Sequence, residues 1–312
     1  MSKIKPQNIL SKVFVYIMVC AVAFIILYPM IYMVSMAIRE ADDMLDPAVI
    51  WIPKHLTSEN FKLAFEALDY GTSVFRTAFL TLACSLLQCF STALVGYGFA
   101  RFKFKGNNLL FMIVLFTFMV PTQIISMPLF LTYRNFDFAG LGGLLERLTG
   151  TGFSFNFINT PVPMMASAFF GTGIRAGLFI YIFRQSFKNA PRELEEAASI
   201  DGCGSVATFF KIMIPNSLAI LLVAFLFSLV WYWNDYFYSA IFYNQSRPLS
   251  VTLANLNIDF SDSSKGGTTI FVNDILVVKQ AAALLYIAPI LTLYLFLQKY
   301  FVESIERIGI VG

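Results

Sequence analysis

Pro191-Arg192-Glu193-Leu194-Glu195-Glu196-Ala197-Ala198-Ser199-Ile200-Asp201-Gly202 is a charged, helix-prone island between two long apolar blocks. Pro191 suits a first helical turn, where the N–H it lacks would have no partner anyway. Glu193, Glu195 and Glu196 follow, where carboxylates favour the positive end of a helix. Leu194, Ala197 and Ala198, at i, i+3 and i+4, form a small apolar face. Asp201-Gly202 stops the helix, because Gly202 accepts positive φ and lets the chain turn. Ser205 is placed to cap a second short helix carrying Val206, Phe209 and Phe210. Pro215 then opens the next apolar run.

The whole chain is 58% hydrophobic and 13% charged, with 34 Phe and a mean hydropathy of +0.70. A soluble globular chain averages about 25% charged residues, so the composition predicts an all-α membrane protein. Apolar runs long enough for the bilayer core fall at about 13–38, 73–100, 108–133, 161–187, 215–240 and 275–301. Six transmembrane helices follow, in one transmembrane domain spanning 1–312, with 188–214 as a polar connection. A cleaved signal peptide is the competing reading of the first run. That run is too long for an h-region, and no small-x-small site closes it. The segments 39–72, 134–160 and 244–273 are polar, and are read as outer loops.

Basic residues set the orientation. Twelve of the 22 Lys and Arg, Lys3 and Lys5 among them, lie in the short inner segments or at helix edges, where the positive-inside rule operates. Both termini are therefore expected in the cytoplasm. The net charge of +3 is too small and too scattered for nucleic acid. Cys20, Cys84, Cys89 and Cys203 form no CxxC pair, so neither a disulfide nor a metal site is read. The single His, His55, lies in an outer loop and is read as a neutral, solvated residue.

Within the runs, several groups stand out. Thr92, Gly96 and Ala100, four apart, give the second helix a small face for close packing, and Gly173 with Gly177 does the same for the fourth. Pro121 and Pro128 interrupt the third run. Backbone freed at such breaks must face protein or water, so Gln123 is a pathway candidate, with a simple kink as the alternative. Arg175 lies nine residues, about 14 Å of helix, from Arg184. Either it faces a cavity or a partner as a functional charge, or a re-entrant helix keeps it in water. Trp233, Asn234 and Asp235 close an aromatic run. An interfacial belt accounts for the rings, while ring stacking on a sugar with Asn234 and Asp235 on its hydroxyls is the functional reading.

Glu196-Ala197-Ala198, three residues, Gly202, nine residues, then Ile212-x-Ile214-Pro215 resembles the EAA loop of the membrane permeases of binding-protein-dependent ABC importers. The 96–106 segment ending Arg101-Phe102-Lys103-Phe104-Lys105-Gly106, the Trp51 loop, Trp233-Asn234-Asp235 and the 298–312 tail are similar to the sugar-type, or maltose-type, permeases. The resemblance covers nearly the whole chain. Ile214, where the family usually has Leu, is the one departure seen in the loop.

The resemblance implies a type I ABC importer transmembrane domain in the bacterial inner (cytoplasmic) membrane. Its loop would dock into an ATPase cleft through Glu193, Glu196, Ala197, Ala198, Asp201, Gly202, Phe209 and Pro215. Implied partners are a second homologous permease subunit, two ATPase subunits, an extracellular solute-binding protein, and a sugar or oligosaccharide. The chain itself would hold no cofactor, because ATP and Mg would be bound by the ATPase subunits. No P-loop occurs and no Ser-His-Asp set is buried, so no covalent chemistry is expected. Two alternatives stay open: a permease for a peptide or amino acid, and a gradient-driven carrier. The latter predicts buried acids and an inverted repeat, and no repeat is evident.

Overall fold

The computed structural model describes residues 6–138, 140–243, 245–256 and 272–310. Lys3 and Lys5, Asn244, residues 257–271 of the expected last outer loop, and the final two residues of the tail lie outside them. Among the described residues the chain is helical, with two isolated antiparallel bridges, Arg39 with Leu56 and Phe136 with Phe155.

The helices are α1 (Pro6–Ala37), α2 (Glu59–Ala67), α3 (Tyr70–Arg101), α4 (Asn107–Met119), α5 (Thr122–Arg134) and α6 (Leu141–Thr149). Next come α7 (Val162–Phe169), α8 (Ala176–Asn189), α9 (Glu193–Ile200) and α10 (Ser205–Thr208). A π turn over Phe209–Met213 leads from α10 into α11 (Ile214–Asn216). The chain continues as α12 (Leu218–Trp233), α13 (Phe237–Phe242), α14 (Leu249–Ala254) and α15 (Val272–Ile310).

Three segments, Ser11–Ala37, Tyr70–Arg101 and Ile275–Lys299, are single helices long and apolar enough to cross a membrane. Two bent pairs bring the number to five: α4 with α5 at 99°, and Ser205–Asn216 with α12 at 81°. Three of the expected helices are thus interrupted, each for a local reason. In 108–133, Pro121 disfavours the helical state of the residue before it. Val120 sits at ψ 123 and Pro121 at ψ 132, both extended. Pro128 is instead carried inside α5. In 161–187 the helix stops at Phe169 and resumes at Ala176, with Gly171 at φ 70 and Arg175 at φ 55 between. In 215–240 the single turn α11 ends at Ser217, which leaves helical space at φ −106, ψ 15. A second gap separates α12 from α13.

The described residues of Met1–Tyr70 and Leu253–Pro289 make one compact unit. Its polar loop is tied down by buried hydrogen bonds. Arg39, 3% exposed, donates to the carbonyls of Val49 (3.3 Å) and Ile50 (3.0 Å) and to Ser35 Oγ (3.2 Å). Asn60 Nδ2 donates to the carbonyls of Ala37 and Arg39. Asp43 accepts from the backbone N–H of Lys54 and of His55, and its Oδ1 lies 2.8 Å from His55 Nδ1. His55 is exposed, as expected, and is paired with Asp43. The Asp43 side-chain hydrogen bond, then its charge, raises the His55 pKa above the ordinary imidazole value. Backbone donation from His55, foremost, holds the Asp43 carboxyl below the usual range.

The described residues of Gly71–Thr252 and Ile290–Gly312 form the second unit. One core cluster joins Cys89, Ala93 and Tyr97 of α3, Phe179, Phe183 and Phe187 of α8, and Phe209 and Met213 of the π turn. Between helices in lipid, apolar transfer gives little drive, so close contact of small residues matters more. Gly96 supplies it: a Cβ there would lie 2.7 Å from Phe183 Cβ and 3.0 Å from the Arg184 nitrogen. The Gly173/Gly177 pair works differently from one helix face. Gly173 lies in the break before α8, while Gly177 brings α8 against the Val114 carbonyl of α4, 2.8 Å from a built Cβ.

Candidate functional site

The 188–214 connection is fastened at its root. Arg101, the last residue of α3, donates to the Ala190 carbonyl at 2.8 Å and places Nε 3.3 Å from Glu195 Oε2. Tyr97, one turn back, donates to Glu195 Oε1 at 3.0 Å. The Arg101 side chain is only 7% exposed, so it is a buried tether rather than a free positive flank. Of the three carboxylates that open α9, Glu195 is turned inward; Glu193 and Glu196 are exposed.

Helix α9 ends as its glycine requires. Gly202 takes φ 79, its N–H donates to the Ser199 carbonyl, and the Cys203 N–H reaches back to Ala198. These are the two bonds of a Schellman cap. Ser205 makes no capping bond, contrary to expectation. Gly204 holds the capping position, and its carbonyl accepts from Thr208 Oγ1.

The eight residues singled out in this loop divide by burial. Glu193, Glu196, Ala197, Asp201, Gly202 and Pro215 are exposed. Ala198 (2% exposed) and Phe209 (1%) are buried and back the loop from within, so neither can meet a docked protein directly. Exposed apolar side chains also mark the face: Ile200 is 86% and Val206 73% exposed.

A second site forms where the 161–187 segment breaks. Gln88, fully buried in α3, donates to the Ile174 carbonyl at 2.9 Å and accepts from Tyr232 Oη at 2.7 Å. Ser91 donates to the Ala168 carbonyl at 2.7 Å. These bonds satisfy backbone groups that the break frees, as apolar surroundings demand. They hold Arg175 in the left-handed region, which non-glycine residues seldom adopt. Its guanidinium carbon lies 4.8 Å from the centroid of the Trp231 ring, a cation–π contact.

Arg175 lines a cavity of about 370 Å³ with the hydroxyl-bearing Thr117, Thr122, Ser167, Thr172 and Tyr238. Arg175 precedes the first turn of α8 and is exposed, the arrangement of the second alternative, a broken segment, rather than a midpoint within an unbroken helix. Of the other pathway candidates, Gln123 is exposed beside the bend, Trp233 is 4% exposed in the packed interior, and Asn234 is exposed at the end of α12. The Asp235 carboxylate accepts from the backbone N–H of Tyr238 and Ser239 and from Ser239 Oγ, which starts α13. None of these four lines the cavity. Sequence reading missed Gln88, Trp231 and Tyr232. A lone Gln in the apolar run 73–100 was the available signal.

Comparison with known proteins bears on this arrangement. Over residues 92–307 the chain matches the family model described as "Binding-protein-dependent transport system inner membrane component". It is similar to the arabinooligosaccharides transport system permease protein AraQ of Halalkalibacterium halodurans, 27% identical over 93% of each chain. It is also similar to the melibiose/raffinose/stachyose import permease protein MelC of Bacillus subtilis, 29% identical over 84% of each. Among solved structures, a chain of a bacterial ABC transporter involved in import of the acidic polysaccharide alginate superposes with a TM-score of 0.72. That match covers 96% of this chain and 100% of the other at 20% identity, and it concerns the fold. With a family match over most of its length, the chain belongs to the binding-protein-dependent transport system inner membrane components, a family of transport permease subunits that are not enzymes.

Proposed function

We propose that this chain is one of two permease subunits of an ABC importer for a sugar or oligosaccharide. An extracellular binding protein delivers the solute. Two ATPase subunits bind ATP and Mg and move the pair of permeases between two states. The chain crosses the membrane six times with both ends cytoplasmic. The fourth crossing is the broken segment α7–α8, and the third and fifth are the bent pairs. Residues 188–214 are the coupling loop, presenting Glu193, Glu196, Ala197, Asp201, Gly202 and Pro215 to the ATPase cleft, with Ala198 and Phe209 as internal support.

The observation that carries the reading is the loop itself: an exposed acidic and apolar face on a helix locked to α3 through Arg101 and Glu195. A surface meant only for water needs no such tether. The carbohydrate assignment is supported by the names of the similar permeases, which transport arabinooligosaccharides and raffinose-type sugars.

Affinity purification of the chain from its native membrane in gentle detergent, followed by mass spectrometry, tests the assembly. Recovery of an ATPase and a second homologous permease is expected. Recovery of intact chain alone, with no ATPase, would refute the importer.

A further inference from the structure

Arg175 is the one charged side chain among the residues that line the 370 Å³ cavity. No described carboxylate forms an ion pair with it, and its contact is the Trp231 ring at 4.8 Å. Arg175 is itself exposed, so a charged ligand entering the cavity can reach the guanidinium without displacing a protein counter-ion. The planar guanidinium fork matches a carboxylate or phosphate in two parallel bonds.

The surrounding hydroxyls complement this. Thr117 and Ser167 donate to the carbonyls of Val114 and Pro163. Their oxygens therefore offer lone pairs to the cavity, which suits the O–H donors of a saccharide. The volume lies within the roughly 300–1,000 Å³ of ligand pockets, and the wall shows the usual pattern of apolar lining with a few convergent polar groups. The backbone also holds Arg175 in an unfavourable conformation, through Gln88 and Tyr232, where a glycine would sit without strain.

We propose that the cavity binds the charged group of an anionic saccharide, and that Arg175 is the specificity-determining contact for it. The ligand class is a sugar bearing a carboxylate or a phosphate. This inference rests on the reading of the chain as a sugar permease and narrows it.

The test uses the purified transporter complex reconstituted in nanodiscs, without binding protein, and equilibrium binding of labelled probes. The probes are trigalacturonate, its fully methyl-esterified form, glucose 6-phosphate and maltotriose. A charge-assisted pair lost from such a site weakens binding roughly tenfold to a hundredfold. Trigalacturonate or glucose 6-phosphate should therefore bind at least about tenfold more tightly than the uncharged probes, and which of the two binds identifies the charged group. Arg175→Gln should remove that preference, so that the charged probes bind no more tightly than the uncharged ones. Arg175→Lys should restore part of it.

Maltotriose or the methyl ester binding as well as the acid, with Arg175→Gln indifferent to charge, would overturn the inference and leave the sugar-permease reading standing. Binding of no saccharide, with intact subunit composition, would overturn both. An Arg175→Gln complex that loses its second permease while keeping no charge preference would assign Arg175 to a subunit contact, again overturning the inference.

Discussion

Gly173→Ala is the sharpest perturbation the geometry offers. A Cβ at this position would overlap Gln88 Oε1 and Tyr232 Oη and sit 3.1 Å from the Ala168 Cα. Neither polar atom is free to move, because Gln88 also holds the Ile174 carbonyl and Tyr232 Oη also accepts from the Ile174 N–H at 3.4 Å. Overpacking of this kind costs about 1–3 kcal/mol. Forcing the Gln88–Tyr232 bond apart leaves buried polar groups unpaired, at roughly 1–3 kcal/mol more. The substitution should destabilise the chain by about 2–6 kcal/mol in all. Gly204→Ala is the control: no atom lies within 4 Å of its built Cβ and its φ is −74°. The assay is thermal or denaturant unfolding of the purified chain in detergent, beside Tyr232→Phe and the double substitution. Removing the hydroxyl clears one of the two collisions, so Gly173→Ala with Tyr232→Phe should cost clearly less than the sum of the single changes. A Gly173→Ala protein as stable as the Gly204→Ala control, or strictly additive costs, would refute the packing argument.

Other expectations follow from the same contacts. Arg101→Ala strands Glu195 at 21% exposure and frees the Ala190 carbonyl; a cost of about 1–3 kcal/mol should appear as faster proteolysis or hydrogen exchange of 190–202, and unchanged protection would count against the tether. Glu196→Lys should abolish solute uptake while membrane insertion and the fold persist, because the side chain is exposed; normal uptake would remove its coupling role. For His55 and Asp43 the signs run oppositely. The raised His55 pKa gives stability in full below its ordinary value of about 6.5, lost as pH rises through the folded value; the lowered Asp43 pKa gives stability above about 3.9, lost as pH falls through the folded value. Exchange protection of residues 40–57 should therefore be greatest between about pH 4 and 6.5 and fall as the pH rises above that window, and His55→Gln should flatten the alkaline fall; an identical fall in that variant would sink the assignment. Arg101→Ala and Gly173→Ala together should reduce uptake by less than the product of their separate effects if both act through α3, and a simple product would separate the two sites.

The helical class, the polar connection and its exposed acids were legible because they rest on hydropathy and on short-range rules. Pro191, the three glutamates and Gly202 specify α9 and its cap within a dozen residues, so nothing distant could overrule them. The broken crossings were harder. Residues 161–187 are apolar enough to read as one span, and the Gly173/Gly177 spacing imitates a helix-packing face. What divides them is a set of long-range bonds from Gln88, Ser91 and Tyr232, up to 144 positions apart in sequence. The cluster Gly171-Thr172-Gly173 was the local hint. Likewise Asp235 reads as a ligand because it is an acid in an apolar run, yet its carboxylate is consumed by the first turn of α13. Composition cannot distinguish a carboxylate facing a substrate from one facing the backbone three and four residues on. The burial of Ala198 and Phe209 inside a loop expected to present them has a similar origin. A short helix docked on a larger body must spend one face on that body, and periodicity alone does not say which.

Helix α3 gives the two sites a common frame. Its C-terminal end carries Tyr97 and Arg101, which hold α9. Thirteen residues earlier than Arg101, about 20 Å along the axis, it carries Gln88, which holds the break and thereby Arg175. Gly96, between them, lets α8 approach so closely that the added methyl of an alanine would meet the Phe183 Cβ and the α8 backbone. The Arg101–Glu195 pair ties α9 to one end of α3, and Gln88 ties the break at Ile174, beside the cavity, to the other part of the same helix. Of the three carboxylates at the start of α9, Glu195 is taken up by this tie to α3, while Glu193 and Glu196 stay exposed.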